Sequence, residues 1–307
     1  MTRVLGRPAI VLLATHPLLA VHGDGVAANP ASPPGAASPG PMFSEGEAYE
    51  RFMGRWSRAL APLLVMLAGV RDAEAVLDVG SGTGALTAAL ATAAPSGRIV
   101  GIDPAEAYVS FARSRLREAP GGLVRFEVGD AQRLPFGAGT FDRALALLVL
   151  NFVPDPGKAL DEMVRVTRSG GTVAAAVWDY GEQMEMLRVF WEEAIRLDPA
   201  ADARDERHMP LCQKGELGVL WREHGLRDVS EEALTIPMRF ASFEDFWSPF
   251  LEGQGPAGVY VASLAAGERE HLRRRLRLRL LGGGADHTIV LRARAWAVRG
   301  TVPKVER

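Results

Sequence analysis

One short segment constrains the fold of this chain more than any other. It reads Val76-Leu77-Asp78-Val79-Gly80-Ser81-Gly82-Thr83-Gly84-Ala85-Leu86-Thr87. The apolar residues before Asp78 predict a strand covered on both faces, as in a parallel sheet. The three glycines permit a tight turn and let a ligand lie against bare backbone. A helix predicted from residue 85 to about residue 94 then directs its free N–H groups at a negative group above the turn.

Asp78 distinguishes two candidate cofactors. The pattern Gly80-x-Gly82-x-x-Ala85 also satisfies the permissive dinucleotide fingerprint, so a nicotinamide enzyme is one interpretation. Asp78 lies two positions before the first glycine, and its negative charge disfavours a pyrophosphate and favours a ligand with a cationic portion. S-adenosylmethionine carries an ammonium, a sulfonium and a carboxylate. Alternatively, Asp78 is a carboxylate that only accepts hydrogen bonds from the turn.

Two further acids come at the ends of the next predicted strands. Residues 98–103 end in Asp103, about 20 residues after the last glycine, where a ribose-binding carboxylate falls in a βαβ unit. Alternatively, Asp103 caps a helix over residues 105–118, with Pro104 at the first helical position. The third strand, 124–128, precedes Asp130, whose carboxylate together with the N–H of Ala131 matches the amino group and ring nitrogen of adenine. Three acids are therefore expected at three successive strand ends.

Several motifs occur together and in order, and they resemble one enzyme family. They are Leu77-Asp78-Val79-Gly80-Ser81-Gly82-Thr83-Gly84, Gly101-Ile102-Asp103, Gly129-Asp130-Ala131-Gln132-Arg133-Leu134-Pro135-Phe136, Phe141-Asp142 and Glu162-Met163-Val164-Arg165-Val166-Thr167-Arg168-Ser169-Gly170-Gly171. From about residue 47 to residue 300 the chain resembles the class I S-adenosylmethionine-dependent methyltransferases, in particular the type-11 group that includes quinone-biosynthesis methyltransferases.

The resemblance implies a fold, a reaction and a set of contacts. The fold is α/β and Rossmann-like: a seven-stranded, mostly parallel sheet with an antiparallel last strand, helices on both faces and helical cap insertions. The reaction is methyl transfer from S-adenosyl-L-methionine. The implied cofactor contacts are Gly80, Ser81, Gly82, Gly84, Asp103, Pro104, Asp130, Ala131 and the backbone near Leu147 or Leu148.

A predicted helix over residues 47–68 precedes the first strand. Tyr49, Phe52 and Met53 lie on one of its apolar faces, and packing explains most of that face. The resembled family places a lid over the methionine end of the cofactor here, which makes Tyr49 and Arg55 candidate cofactor contacts. A guanidinium can clamp a carboxylate through two hydrogen bonds, although an arginine on a helix is more often solvated.

The ends of the fourth and fifth predicted strands, 141–148 and 172–178, are expected to carry the acceptor, as in other open α/β sheets. Residues at these ends are Asn151, Phe152, Trp178, Asp179 and Tyr180. Asn151 and Asp179 are the candidate catalytic residues, with Asp179 as general base, although a loop acid at this position can instead cap the segment that begins at residue 181. In-line methyl transfer depends on positioning and charge placement and needs no metal. A base matters only for an alcohol, a phenol or an activated carbon.

Cap insertions are expected at about residues 180–212 and 241–287. The second separates strand six, 235–240, from strand seven, 289–298, which the resembled family joins as an antiparallel edge hairpin. Its aromatic residues predict either a cover over an apolar pocket or simple packing; they are Phe243, Phe246, Trp247, Phe250 and Tyr260. Its arginines, between residues 269 and 279, predict a solvated basic helix face, with nucleic-acid binding as the alternative.

Composition narrows the class of protein. The 307 residues carry a net charge of −2 and are 48% hydrophobic, which predicts a globular protein without general attraction to nucleic acid or membrane. The single cysteine, Cys212, excludes a disulfide framework and a cysteine-held iron–sulfur cluster. The six histidines show no paired metal-ligand spacing, so no metal is expected. The expected partner is a small-molecule methyl acceptor.

The N-terminal region differs from the rest. Residues 1–41 combine a short apolar stretch, well under the roughly 20 residues of a membrane span, with a run rich in Pro, Ala, Ser and Gly. We expect a disordered extension, or a misassigned start with Met42 as the true first residue. The methyltransferase domain is expected over residues 42–300, followed by a tail over 301–307. A cytoplasmic methyltransferase is the preferred prediction, and a nicotinamide oxidoreductase or a non-catalytic S-adenosylmethionine-binding protein is the alternative.

Overall fold

The computed structural model describes residues 46–116 and 123–304. Seven strands form one sheet: β1 Ala75–Val79, β2 Arg98–Asp103, β3 Val124–Val128, β4 Phe141–Leu147, β5 Thr167–Trp178, β6 Arg227–Phe240 and β7 Ile289–Thr301. Their order across the sheet is β3-β2-β1-β4-β5-β7-β6. The predictions for residues 1–41, including a start at Met42, lie outside the described residues.

Helices flank and cap the sheet. The α-helices are α1 Gly46–Tyr49, α2 Arg55–Ala68, α3 Ala85–Ala93, α4 Glu106–Arg115, α5 Pro156–Val166, α6 Glu185–Leu197, α7 Glu216–Glu223, α8 Phe243–Trp247, α9 Gly255–Ser263 and α10 Ala266–Leu281. A π-helical turn, Glu50–Gly54, joins α1 to α2. Short 3₁₀ turns are Leu150–Phe152, Pro199–Arg204, Glu206–His208 and Ser248–Glu252. In the described ranges no helix combines the length and the apolar character needed to cross a bilayer.

The first five strands run parallel, and the sixth and seventh supply the antiparallel edge. β1 pairs in parallel with β2 and β4, β2 with β3, and β4 with β5. β7 is antiparallel to both of its neighbours, β5 and β6. The predicted fold class is confirmed. Since parallel strands joined through helices end at one side of the sheet, the loops after β1 to β5 converge there.

Burial explains which strands are central. The apolar residues of β1, β4 and β5 are almost completely enclosed, as strands covered by helices on both faces require. β6 is exposed along most of its length and forms the edge. Its polar first half, from Arg227, carries no apolar alternation, so sequence reasoning began this strand at residue 235. The ladder to β7 supplies the backbone hydrogen bonds that define the earlier start.

Two local predictions need correction. α4 begins at Glu106 with Ala105 as its N-cap, so Pro104 is not the first helical residue. The predicted helix over 47–68 contains a π turn, which an apolar periodicity does not reveal. Within the first predicted insertion, the segment after α6 folds into two 3₁₀ turns, because Asp198 and Asp205 accept backbone N–H bonds and cap them.

Candidate active site

A cavity of about 620 Å³ opens where the parallel strands end. This volume lies in the range of small-molecule sites. Its wall combines the glycine turn, the loops after β2 to β5, the N-terminal helices, the start of α9 and the 3₁₀ turns after α6. Of the residues proposed from sequence, the cavity is lined by Tyr49, Gly80, Gly82, Asp103, Pro104, Asp130, Ala131, Leu147 and Asn151.

The glycine turn is fixed by close backbone approaches. Gly80 has a φ of +71°, and a Cβ there would lie 2.4 Å from Cγ2 of Val149. The backbone N–H groups of Gly80 and Ser81 both donate to the carbonyl of Ile102, at 2.8 and 2.9 Å. A side chain at position 80 would therefore both strain the backbone and displace the loop after β4.

Gly84 has a different role from the one proposed. It is the N-cap of α3 with a φ of +90°, and a Cβ there would lie 3.0 Å from Leu116 and 3.3 Å from Phe126. Gly84 does not line the cavity. In the structure this glycine lets α3 pack closely against α4 and β3, and its role as a cofactor contact stays a prediction.

Asp103 at the end of β2 combines both roles that the sequence left open. Its Oδ2 accepts a hydrogen bond from Gly82 N at 2.9 Å, and its Oδ1 accepts one from Ala105 N at 2.9 Å. Burial raises the pKa of this carboxyl, and the two N–H donors oppose that rise. Because each carboxylate oxygen has a second lone pair, Asp103 can hold the turn and still accept bonds from a ligand.

Asp78 lies beside a small polar annex of about 30 Å³. The annex takes its polar side chains from Ser57, Asp78, Ser81 and Thr83, and it shares Tyr49, Gly80, Gly82 and Leu147 with the main cavity. Asp78 is fully buried, and its Oδ2 accepts a hydrogen bond from the hydroxyl of Thr87 at 2.6 Å. Its Oδ1 and the hydroxyl of Ser81 have no hydrogen-bond partner within the described ranges. Burial raises the pKa of Asp78 to about 7.

The third acid, Asp130, comes after β3 and is exposed toward solvent. Its Oδ1 accepts a hydrogen bond from Gln132 N at 2.8 Å, which orients the carboxylate next to the buried Ala131. At the end of β4, Leu147 and Leu148 both line the cavity, and the N–H of Leu148 donates to the carbonyl of Ala176 at 2.8 Å. Leu148 has a φ of +61°, a strained value for a leucine.

The N-terminal helices cover one side of the cavity. Tyr49, Phe52 and Met53 line it, and the last two belong to the π turn, which re-aims them relative to an α-helix. Glu50 of the same turn ties this cover to the glycine turn: its Oε1 accepts a hydrogen bond from the Thr83 hydroxyl at 2.5 Å. Its Oε2 pairs with Arg115 at 2.7 Å and with Arg58. Sequence analysis did not identify Glu50, whose partners lie on three different elements.

Arg55 does not line the cavity, so the structure does not bring this candidate to the site, and its cofactor role stays a prediction. Its guanidinium does clamp a carboxylate, but the carboxylate belongs to Asp245 of the second insertion, at 2.9 and 3.1 Å. The guanidinium also lies 4.4 Å from the ring centre of Trp56 and 4.8 Å from that of Phe240. Arg55 therefore fastens the insertion to α2.

Asp179 is likewise occupied elsewhere. Its Oδ1 accepts the N–H of Glu182 at 3.0 Å, and its Oδ2 accepts from Arg294 at 2.5 and 2.7 Å. It is buried and does not line the cavity. These bonds match the alternative role, in which Asp179 caps the turn before α6 and binds it to β7, and its assignment as general base stays a prediction.

The acceptor side of the cavity is largely apolar. Its wall contains Asn151, Phe152, Trp178, Tyr180, Leu187, Glu206 and Met209. Asn151 is buried, and its Oδ1 has no hydrogen-bond partner in the described part of the chain. Its amide nitrogen lies 3.4 Å from the sulfur of Met209. Burial raises the pKa of Tyr180 well above its ordinary value.

Glu206 is the acid that sequence analysis missed on this wall. It is 2% exposed, and its Oε2 accepts the indole N–H of Trp191. Burial raises the pKa of Glu206 to about 7. The surrounding sequence, Asp-Ala-Arg-Asp-Glu-Arg-His, looks like a solvated loop, and only the packing of two 3₁₀ turns against α6 directs this glutamate inward.

The second insertion is held by packing and ion pairs. Its aromatic residues Phe243, Phe246, Trp247 and Phe250 are buried among one another and do not line the cavity. Gly255 and Pro256 at the start of α9 do line it. On α10, Arg275 and Arg279 pair with the buried Glu193 of α6 at 2.8 and 3.1 Å, so this basic face is partly neutralised rather than fully solvated. Across residues 46–116 and 123–304, no group of three or more metal-ligating side chains is clustered.

Comparison with known proteins gives consistent similarities. Residues 77–175 match the family model described as a methyltransferase domain. An uncharacterised 37.1 kDa protein in transposon TN4556 of Streptomyces fradiae is 37% identical over 125 residues, 40% of this chain and 36% of that protein. An uncharacterised methyltransferase of Schizosaccharomyces pombe is 33% identical over 114 residues, 35% of this chain and 41% of that protein. The chain thus spans less than half of these curated relatives.

A solved structure shows the same fold. It is phosphoethanolamine N-methyltransferase 2 of Haemonchus contortus in complex with phosphomonomethylethanolamine and S-adenosylhomocysteine. The likeness covers 85% of this chain and 57% of that chain, with 16% identity and a TM-score of 0.52. At this level of identity the likeness extends to the architecture alone.

Proposed function

We propose that this chain, whose residues 77–175 form a class I S-adenosylmethionine-dependent methyltransferase domain, transfers a methyl group from S-adenosyl-L-methionine to a small-molecule acceptor. One observation carries the proposal: the unpartnered Asp78 Oδ1 borders a polar annex that opens from a much larger, mostly apolar cavity. This combination matches a ligand that is cationic at one end and aromatic at the other.

The residues present fit that cofactor part by part. Asp78 and Ser81 would hold its ammonium group in the annex, whose volume of about 30 Å³ is that of one water molecule and hence of an ammonium group. Asp103 would accept bonds from the ribose hydroxyls, and Asp130 with the N–H of Ala131 would bind the adenine edge. Burying a carboxylate without a counterion raises the free energy of the folded protein, and a cationic ligand offsets that cost.

The cofactor supplies an activated methyl group on a sulfonium. The chain's own contribution is positioning: the glycine turn and Asp103 fix one reactant, and the acceptor wall fixes the other. Tyr49, Phe52 and Met53 would exclude water from the reacting centre. We further propose that the acceptor is a small, partly apolar molecule, because the wall at Phe152, Trp178 and Met209 is apolar. Because this cofactor is made in the cytosol, the proposal includes action in the cytoplasm.

Calorimetry with purified protein tests the cofactor. We expect micromolar binding of S-adenosylmethionine and S-adenosylhomocysteine and no measurable binding of NAD⁺. NAD-dependent and S-adenosylmethionine-dependent enzymes both bind their cofactor at a glycine turn. Binding of NAD⁺ in preference to S-adenosylmethionine would therefore support the oxidoreductase instead.

Turnover separates an enzyme from a binding protein. The protein is incubated with labelled S-adenosylmethionine and a pool of small metabolites, and both S-adenosylhomocysteine and products heavier by one methyl group are measured. We expect both to accumulate together. Tight cofactor binding without product from any pool would support a non-catalytic binder and contradict the proposed activity.

A further inference from the structure

Glu206 carries a buried carboxylate that donors of the protein orient and that still borders the cavity. Oε2 accepts the N–H of Trp191, a residue that is itself fully buried. The carboxylate also accepts a bond from its own backbone N–H, and the side chain borders the cavity. Because a carboxylate has four lone-pair sites, this oriented group can accept a further bond from whatever occupies the acceptor side.

The neighbouring charges leave Glu206 without a counterion. Arg188 on α6 is the nearby cation, but its guanidinium is paired with Asp205, which also lies 3.4 Å from Arg207. The other titratable groups facing Glu206 are Tyr180 and Cys212, and burial raises the pKa of the Cys212 thiol to about 11, so both are neutral near pH 7. Burial, helped by the charge of Asp205, raises the pKa of Glu206, and the bonds from its own backbone N–H and from Trp191, together with the charge of Arg188, oppose that rise.

The wall chemistry restricts the acceptor. Among the described residues, the charged side chains that line the cavity are Asp103, Asp130 and Glu206, and no Arg, Lys or His does so. An anionic acceptor such as a phosphate ester or a carboxylate would find no counterion. A neutral hydroxyl can donate its one proton to Glu206, and the unpartnered Oδ1 of Asn151 can accept from a second donor on the same molecule.

We propose that Glu206 is the general base of the reaction and that the acceptor is a neutral molecule carrying a phenolic or similarly acidic hydroxyl on an apolar body. The proposal rests on the proposed function. The acceptor O–H bond breaks and its proton passes to Oε1 of Glu206, while the oxygen forms a bond to the methyl carbon. The bond from that carbon to sulfur breaks, and its electron pair returns to sulfur, which leaves neutral S-adenosylhomocysteine and a methyl ether.

The first experiment compares native protein with Glu206→Gln, using a series of neutral phenols of increasing size: phenol, 4-methylphenol and 1-naphthol. General-base catalysis contributes about 10²- to 10⁴-fold. We expect methylation of at least one member by the native protein and a loss of about 100-fold in kcat for Glu206→Gln. Affinity for S-adenosylmethionine, measured by calorimetry, is expected to change by less than about twofold.

The matched control is Asp202→Asn. Asp202 belongs to the preceding 3₁₀ turn, is about half exposed and pairs with Arg207, so the variant removes a nearby acid that does not line the cavity. We expect its kcat to stay within about twofold of native. An equal loss in both variants would show that Glu206→Gln acts only through the folding of this segment, and it would overturn the base assignment.

A second readout separates proton removal from structure. 4-Nitrophenol ionises near neutral pH, whereas 4-methylphenol, like a tyrosine side chain, has a pKa of about 10. We expect the Glu206→Gln loss to fall below about threefold with 4-nitrophenol and to stay near 100-fold with 4-methylphenol. In native protein, the 4-methylphenol rate should rise with pH to a plateau above about pH 7, and the variant should lack this rise.

The outcomes distinguish the two proposals. If native protein fails to bind S-adenosylmethionine, the proposed function itself fails. If it binds the cofactor and methylates a phenol equally well without Glu206, only the base assignment fails. If it binds the cofactor but methylates no phenol, the acceptor class proposed here is wrong. Methylation of 4-methylbenzylamine or 4-methylbenzoate in its place would point to a cationic or an anionic acceptor.

Discussion

The two sides of the cavity are built in different ways. On the cofactor side, the ends of β1 to β3, the key groups are close in sequence and held by backbone bonds, as where Asp103 fixes Gly82 and Ala105. On the acceptor side, the wall joins Asn151 and Trp178 to Glu206 and Pro256, which come from distant parts of the chain. The cofactor side is therefore built from short sequence segments and suits one unchanging ligand. The acceptor side is built partly from insertions, so its shape can change when the insertions change.

The largest effect is expected from Asp103→Ala on the cofactor side. The variant removes the proposed acceptor for both ribose hydroxyls, and hydrogen bonds to a charged group contribute about 1.5–3 kcal/mol. We expect affinity for S-adenosylmethionine, measured by calorimetry, to fall by about 100-fold. The control is Asp72→Ala, because Asp72 also accepts two backbone N–H bonds, from Ala73 and Ser96, but lies outside the cavity. Equal losses of affinity in both variants would contradict a direct contact.

Asp179→Asn tests the boundary of the acceptor side. The variant weakens a buried pair with Arg294 and so should lower the free energy of unfolding by about 2 kcal/mol, measured by urea denaturation. We expect kcat with the best phenol to stay within about twofold. Glu182 also pairs with Arg294 but is exposed, so Glu182→Gln should lower the free energy of unfolding by less than about 0.5 kcal/mol. A large loss of kcat without loss of stability would support Asp179 as a base.

Asp78→Asn separates binding from stability. The folded-state pKa of Asp78 lies near 7, above its ordinary 3.8, so the folded protein holds a proton that the unfolded chain releases. The contribution of Asp78 to the free energy of unfolding is therefore fully present below about pH 4 and is lost as pH rises from about 4 to 7. We expect the cofactor-free variant to be at least as stable as native protein at pH 8, and its affinity for S-adenosylmethionine to fall about tenfold. Unchanged affinity would contradict the ammonium site.

The smallest effect is expected from Arg55 and Asp245, which fasten the second insertion to α2. A double-mutant cycle with Arg55→Ala and Asp245→Ala should give a coupling free energy of about 1 kcal/mol, because both side chains are partly exposed. We expect affinity for S-adenosylmethionine to change by less than about twofold in each variant. A tenfold loss in Arg55→Ala alone would support a cofactor contact through movement of the helix.

Predictions from the sequence were most accurate where a feature depends on residues that are neighbours along the chain. The strand bounds of β2 and β3 and the positions of Asp78, Asp103 and Asp130 at strand ends result from apolar runs interrupted by glycines and acids. Sequence reasoning did not anticipate the protein partners of Arg55 and Asp179, which are Asp245 and Arg294, more than a hundred residues away. A charged side chain pairs with whatever folding brings near it, and the spacing along the chain does not contain that information.

The sequence by itself determined the parallel sheet, the glycine turn and the acids around it, because each depends on backbone conformation and on neighbours a few residues apart. Only the tertiary structure decided which acid lines the cavity. Asp179 and Glu206 both belong to polar loops, yet one is bound by Arg294 and the other is turned into the cavity by Trp191. The physical reason is that long-range packing decides whether a charged group is buried and whether it is paired. Here that packing leaves one acid at the cavity wall and pairs the other with an arginine.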